Sequence, residues 1–220
     1  SAATITGISS MHRTGPSTST SLVTGATRSA STGRLRIMQV ILSHGFAGSE
    51  RAVAEACNAM CDRHDVTLVI RRDHRGPGGA SIRDHVDPRV DVVEVPGRWR
   101  TRRRLAEAIQ RIRPMLIHTH LRRGTRYVAQ IRPDVAHVCT LHLSINGPHF
   151  LQSDGLFCIS EWQLGTVPVD YRGRVFLVPN SLVPQPRIDA DRVRQLKSSF
   201  GVSDSEFVVG SVGRLARSKG

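Results

Sequence analysis

Three histidines are the residues best suited to chemistry: His118 and His120, which end the stretch Met115 to His120, and His142, which closes Val135 to Leu141. An imidazole titrates near neutral pH and both donates and accepts hydrogen bonds, so it can contact a substrate hydroxyl or move a proton. A second feature is the loop Ser43-His44-Gly45-Phe46-Ala47-Gly48-Ser49, which joins an apolar run to a helical pattern. Such a junction presents free backbone N–H groups and the positive end of a helix, where diphosphates and other anions are held. The Gly45-x-x-Gly48 spacing lacks the third glycine of the dinucleotide fingerprint and the Lys-Ser/Thr of a P-loop. An anion site and a plain tight turn therefore both fit. Each histidine taken alone also fits a hydrogen-bonded strand end. Zinc would need further ligands, and no carboxylate or thiolate is spaced to complete the set.

The elements that must position these groups read clearly. Leu35, Ile37, Met38, Val40, Ile41 and Leu42 form an almost unbroken apolar run, which predicts a parallel strand buried on both faces. Val53, Ala56, Cys57 and Met60 then recur at helical spacing, with Glu50 in the first turn complementing the helix dipole. Strands are expected over Asp65 to Arg71, Val90 to Val95, Met115 to His120, Val135 to Leu141, Gly155 to Ile159, Arg174 to Val178 and Phe207 to Val212. Arg75 to Asp84 reads as a Gly/Pro loop. Helices are expected over Arg98 to Arg113, Arg123 to Ile131 and Arg192 to Phe200, and Ser160-Glu161-Trp162-Gln163 reads as a capping-box start. Alternating strands and helices predict an α/β fold with a doubly wound, mostly parallel sheet. The carboxyl ends of its strands should face a ligand crevice, so Gly45, Gly48, His118, His120 and His142 should converge at one edge.

Composition bounds the function. The chain has 220 residues, enough for one α/β domain with some extra, or for part of a two-domain protein. Its formal charge of +13 invites a nucleic-acid partner, but 29 of the 31 basic residues are arginine. That ratio suits a coding bias, and no recognition helix, zinc finger or aromatic RNA-binding strand accompanies it, so no nucleic acid is expected. No apolar run approaches the ~18 residues of a membrane-spanning helix. Arg98 to Arg113 carries seven arginines against Glu107 alone, beside Trp99. It suits either peripheral attachment to an anionic membrane or a solvated helix face. Cys57, Cys61, Cys139 and Cys158 form no C-x-x-C pair and read as buried thiols of a reducing, cytoplasmic compartment. Residues 1–33 contain no acid and no periodicity and are expected to be a disordered leader, similar to an organelle transit peptide or lying outside the native start.

From Arg34 to Gly220 the chain resembles the retaining glycosyltransferases of family 4, which have the GT-B fold of two facing Rossmann-like domains. The resemblance rests on motifs in family order: Ala47-Gly48-Ser49-Glu50-Arg51, the strand ending in His118-Thr119-His120, Thr140-Leu141-His142, Ser160-Glu161, Val178-Pro179-Asn180, and Gly213-Arg214-Leu215 with Lys219-Gly220. Met115 stands where the family usually has an acid and Ser181 where it has glycine, and the Glu-x7-Glu motif is absent. The resemblance implies an amino-terminal, acceptor-side domain over 34–185, then a linker helix and the opening of a truncated donor-binding domain over 186–220. It implies sugar transfer from a nucleotide-sugar, which is a substrate rather than a cofactor, to a glycan or lipid-linked acceptor in cell-envelope polysaccharide biosynthesis, with no metal. His120 would sit beside the transferred sugar. Gly45, Gly48, His118 and His142 would line the acceptor side, and Arg214 and Lys219 would neutralise the leaving diphosphate. Alternatives are a non-catalytic Rossmann-type nucleotide or anion-binding module and a nucleotide-sugar epimerase. This chain, as it stands, is expected to be an inactive fragment.

Overall fold

The computed structural model describes residues 33–180 and 186–210. The leader, apart from Gly33, and the positions of Arg214 and Lys219 lie outside the described residues.

The apolar run after Arg34 forms β1 (Arg36–Ile41), whose residues after the first are all buried. It is an interior strand of the sheet, as its largely apolar character on both faces requires. The other strands are β2 (Asp65–Arg71), β3 (Asp91–Val95), β4 (Leu116–His120), β5 (Ala136–Leu141), β6 (Gly155–Cys158) and β7 (Arg174–Leu177). Their order is β3-β2-β1-β4-β5-β6-β7, and every pairing is parallel. The chain winds one way from β1 to β3 and the other way from β4 onward. The switch point lies between β1 and β4, where ligands of open α/β sheets bind beyond the strand ends.

Helices α1 (Gly48–Met60), α2 (Thr101–Ile112), α3 (Leu121–Ile131), α4 (Glu161–Leu164) and α5 (Ala190–Ser199) complete the described elements, with 3-10 turns at Phe150–Gln152 and, inside the stretch read as loop, at Ile82–His85. Ser81 explains the turn at Ile82–His85, since its hydroxyl accepts from the Arg83 N–H and caps it. One face of the sheet places Ile41, Leu68 and Ile70 against Val53, Ala54 and Cys57 of α1. The opposite face places Met38, Val40 and Val69 against Leu105 and Ile109 of α2 and Val128 of α3. α3 approaches β1 closely, because a Cβ on Gly124 would stand 3.1 Å from the Val40 carbonyl oxygen. All four cysteines are free and buried, and burial pushes the Cys57 thiol up to about 12. Among the described residues no helix is long and apolar enough to cross a membrane.

One expected strand is corrected. Residues 207–210 form no strand, and Phe207, Val208 and Val209 are exposed, since no open strand meets them; the last two positions of the expected run lie outside the described residues.

Candidate active site

The parallel register brings the histidines together. β4 pairs with β1 so that His118 stands beside Gln39 and His120 beside Ile41, and β5 places Thr140 beside His120. His118 and His120 are two residues apart on one strand and so share the face of the sheet that carries α1. His142 follows β5 on the same face. The ring centroids lie 4.2 Å apart for His118 and His120 and 5.3 Å apart for His120 and His142. Phe157 of β6 meets His118 edge-on at 5.1 Å.

These rings form the floor of a cavity of about 400 Å³, within the size range of small-molecule sites. Ala52, Ala56 and Ala59 line its α1 side, and their short side chains leave the space open. Val178, Pro179 and Asn180, which follow β7, close the far side. The pocket thus joins three of the sequence motifs: the two histidine strand ends and Val-Pro-Asn.

The hydrogen bonds are directional. His120 is 3% exposed; its Nε2 lies 2.7 Å from Gln39 Oε1 and its Nδ1 lies 3.1 Å from His142 Nε2. His118 Nε2 lies 2.7 Å from the Thr140 hydroxyl. With both His120 nitrogens turned to protein groups, the three rings do not converge on a common point, and among the described residues no group of three or more His, Cys, Asp or Glu could hold a metal ion. Gln163, 1% exposed, donates to the carbonyls of Leu141 and Leu143, which flank His142, at 2.7 and 3.1 Å. Its own Oε1 accepts from the Ile159 and Ser160 N–H groups, so the helix start expected at Ser160 also clamps the backbone on either side of His142.

Burial sets the charge state. Loss of water, then repulsion from His142 and His137, brings His118 down to about 3. His120 is held well below the usual histidine range by burial and by the same kind of imidazole repulsion. His142 is lowered by burial, an effect that the Glu50 carboxylate partly opposes. At pH 7 the floor is therefore uncharged, a set of neutral rings that offer one donor and one acceptor each.

Gly45 and Gly48 are not in this pocket. Gly45 has φ +77° and donates its N–H to the His74 carbonyl at 2.8 Å, so it needs glycine for the turn itself. Gly48 opens α1, and a Cβ there would meet no atom within 4 Å. The sequence reading missed Gln39, Thr140 and Phe157 as site residues. Gln39 carried a signal as a polar residue in a strand otherwise apolar on both faces, and Thr140 as the first residue of the Thr140-Leu141-His142 motif; Phe157 carried none.

The sequence model of Glycosyltransferase Family 4 matches residues 46–166, which hold the end of the loop into α1, from Phe46, and all three pocket histidines. The chain belongs to this family. Its fold is the Rossmann-like half of a GT-B glycosyltransferase. A glycosyltransferase from Rickettsia africae ESF-5 has a similar structure, with TM-score 0.61 at 12% identity, over 78% of this chain and 51% of that one. Anabaena Alr3699/HepE in complex with UDP-glucose is similar at TM-score 0.56 and 14% identity, over 78% of this chain and 51% of that one. At these identities the likeness is one of fold. The chain spans about half the length of these two solved proteins. No curated protein matches the sequence.

Proposed function

We propose that the chain is the acceptor-side half of a retaining glycosyltransferase that moves a sugar from a nucleotide-activated donor to a glycan or lipid-linked acceptor. The observation that carries this reading is the cavity of about 400 Å³ floored by three neutral histidines at the carboxyl edge of the sheet. Neutral imidazoles suit a sugar. The Nδ1 atoms of His118 and His142 can meet its hydroxyls, His120 offers its ring face, and the rings bring no charge to compete with that of the diphosphate. The nucleotide-sugar donor is supported by family membership and by the UDP-glucose held by Anabaena Alr3699/HepE.

In this proposal His120 packs its ring against the transferred sugar, while His118 and His142 meet the acceptor side. Gly48 brings its backbone close to the acceptor or the donor diphosphate, and Gly45, whose N–H is held by the His74 carbonyl, shapes the turn that carries it there. Arg214 and Lys219, outside the described residues, neutralise the charge that develops on the β-phosphate as the glycosidic bond to the nucleotide breaks, the point at which fixed cations stabilise most. Residues 34–185 form the acceptor half, and 186–220 lead into the donor half. Two facing walls are needed to hold donor and acceptor in near-attack geometry and exclude water, so this chain alone transfers no sugar. The basic helix α2 rests on the inner, cytoplasmic face of an anionic membrane, where a lipid-linked acceptor of the cell envelope is presented.

The test is titration and transfer assay with a panel of nucleotide-sugars. A form spanning both halves should bind one of them and transfer its sugar with retained anomeric configuration, and the 220-residue chain should do neither. Binding without transfer by the longer form would favour a nucleotide-binding module, and conversion of the donor sugar in place would favour an epimerase.

A further inference from the structure

Gln39 sits in the middle of β1, between Met38 and Val40, and is fully buried in an apolar strand. A buried amide in such a place is costly unless its groups are matched. Its Oε1 lies 2.7 Å from His120 Nε2, and its Nε2 lies 4.0 Å from the Met60 thioether sulfur. The opposite amide orientation would set the carbonyl oxygen against the sulfur, lone pair facing lone pair, so the oxygen belongs toward His120. An oxygen there accepts only, which requires a proton on His120 Nε2. A neutral His120 then has a lone pair on Nδ1, and that lone pair faces His142 Nε2 at 3.1 Å. His142 must therefore carry its proton on Nε2 as well, leaving its Nδ1 as a proton-accepting nitrogen. Burial keeps both rings neutral, which preserves the one-way order of donors.

We propose that Gln39 is a positioning residue of the pocket: its amide oxygen fixes the tautomer of His120, and through it that of His142, so that His142 offers Nδ1 as an acceptor to a substrate hydroxyl. The last step rests on the sugar-transfer reading above; the ordering of tautomers does not. Gln39 touches no substrate in this scheme. It acts by removing one of two otherwise near-equal arrangements of protons along the chain Gln39, His120, His142.

The experiment is long-range nitrogen–proton NMR of the histidine rings in the 220-residue chain at pH 7.5, for the wild type and for Gln39→Met, which matches glutamine in shape and offers no strong acceptor. His120 and His142 should both appear as Nε2–H tautomers in the wild type. In Gln39→Met, His142 should become a mixture, while Gln39→Glu, whose carboxylate still accepts from Nε2–H, should restore the single form. In a form spanning both halves, Gln39→Met should lower kcat by about tenfold or more with KM within about twofold, as expected for a misoriented proton acceptor. An Nδ1–H form of His142 in the wild type, or an unchanged His142 in Gln39→Met, overturns the proposal whatever the transfer assay shows. Disordered tautomers with unaltered transfer would overturn instead the assignment of this pocket to the sugar.

Discussion

Ser43 and Glu50 lock together across the loop that leaves β1. The Ser43 hydroxyl donates to Glu50 Oε1, while Oε2 accepts from the Ala47 N–H at 3.1 Å and the Ser49 hydroxyl at 3.0 Å. Glu50 is 4% exposed, so a carboxylate first read as a complement to the helix dipole is also the buried anchor of the glycine loop. Hydrogen bonds to a buried charged group are worth about 1.5–3 kcal/mol each, and removing the acceptor strands three donors. Glu50→Ala should lower the unfolding free energy by about 2–4 kcal/mol, measured by urea denaturation. A loss below about 0.5 kcal/mol would remove the anchoring role.

The two loop glycines should separate under substitution. Gly45→Ala forces a side chain into φ +77°, a left-handed conformation costing about 1–2 kcal/mol, with the Gly76 backbone 3.5 Å from the new Cβ. Gly48→Ala meets open space and helical backbone, so thermal stability should hold within a degree or two of the wild type. If Gly48 brings backbone to a ligand, the same variant in a form spanning both halves should bind donor or acceptor about tenfold more weakly. Unchanged affinity would leave Gly48 as a plain helix start.

Stability should fall with acid before any carboxylate titrates. His118 and His137 are held neutral at about 3 and about 4 in the folded chain, against an ordinary value of 6.5. Below pH 6.5 the unfolded chain binds protons that the folded one refuses, so stability is full above that pH and is lost as pH falls toward about 4. The loss should be about 1.4 kcal/mol per pH unit for each such ring. Denaturant midpoints at pH 7.5 and pH 5 should differ accordingly, and equal midpoints would show that these imidazoles are open to water.

The proposed membrane docking through α2 can be tested on named residues. Trp99 is 85% exposed, and of the exposed Arg102, Arg103 and Arg104, Arg103 stands opposite the buried stripe of Leu105, Ala108 and Ile109 while the other two flank it. Flotation with anionic vesicles should recover the chain in low salt, and Trp99→Ala with Arg102→Glu should cut recovery several-fold. Recovery that is equal on neutral and anionic vesicles would exclude an electrostatic surface.

What could be read in the sequence divides along physical lines. Strands leave apolar runs, long in buried β1 and short in exposed β7, so β1 to β7 lie within a residue or two of their expected bounds, and His118, His120 and His142 were legible because a strand-end histidine interrupts such a run. Gln39 was passed over because one polar residue does not break the pattern; its meaning depends on a partner that register alone supplies. Phe207 to Val209 show the converse, strand-like residues with no strand to join. Phe157 and Thr140 became site residues only when β5 and β6 were laid side by side. Alternation along a strand gives the face, not the neighbour.

The placing of β1 between β2 and β4 also bears on synthesis. The ribosome delivers β1 first, and β2 and β3 can pair on one side of it at once. Its other edge, with the backbone hydrogen-bonding groups of Met38 to Ile41, waits until His120 has left the exit tunnel. At roughly 5–20 residues per second, a nascent chain that has completed β3 carries this open apolar edge for on the order of seconds. Those seconds are when a chaperone, or a second nascent copy, has its best chance to occupy the place meant for β4.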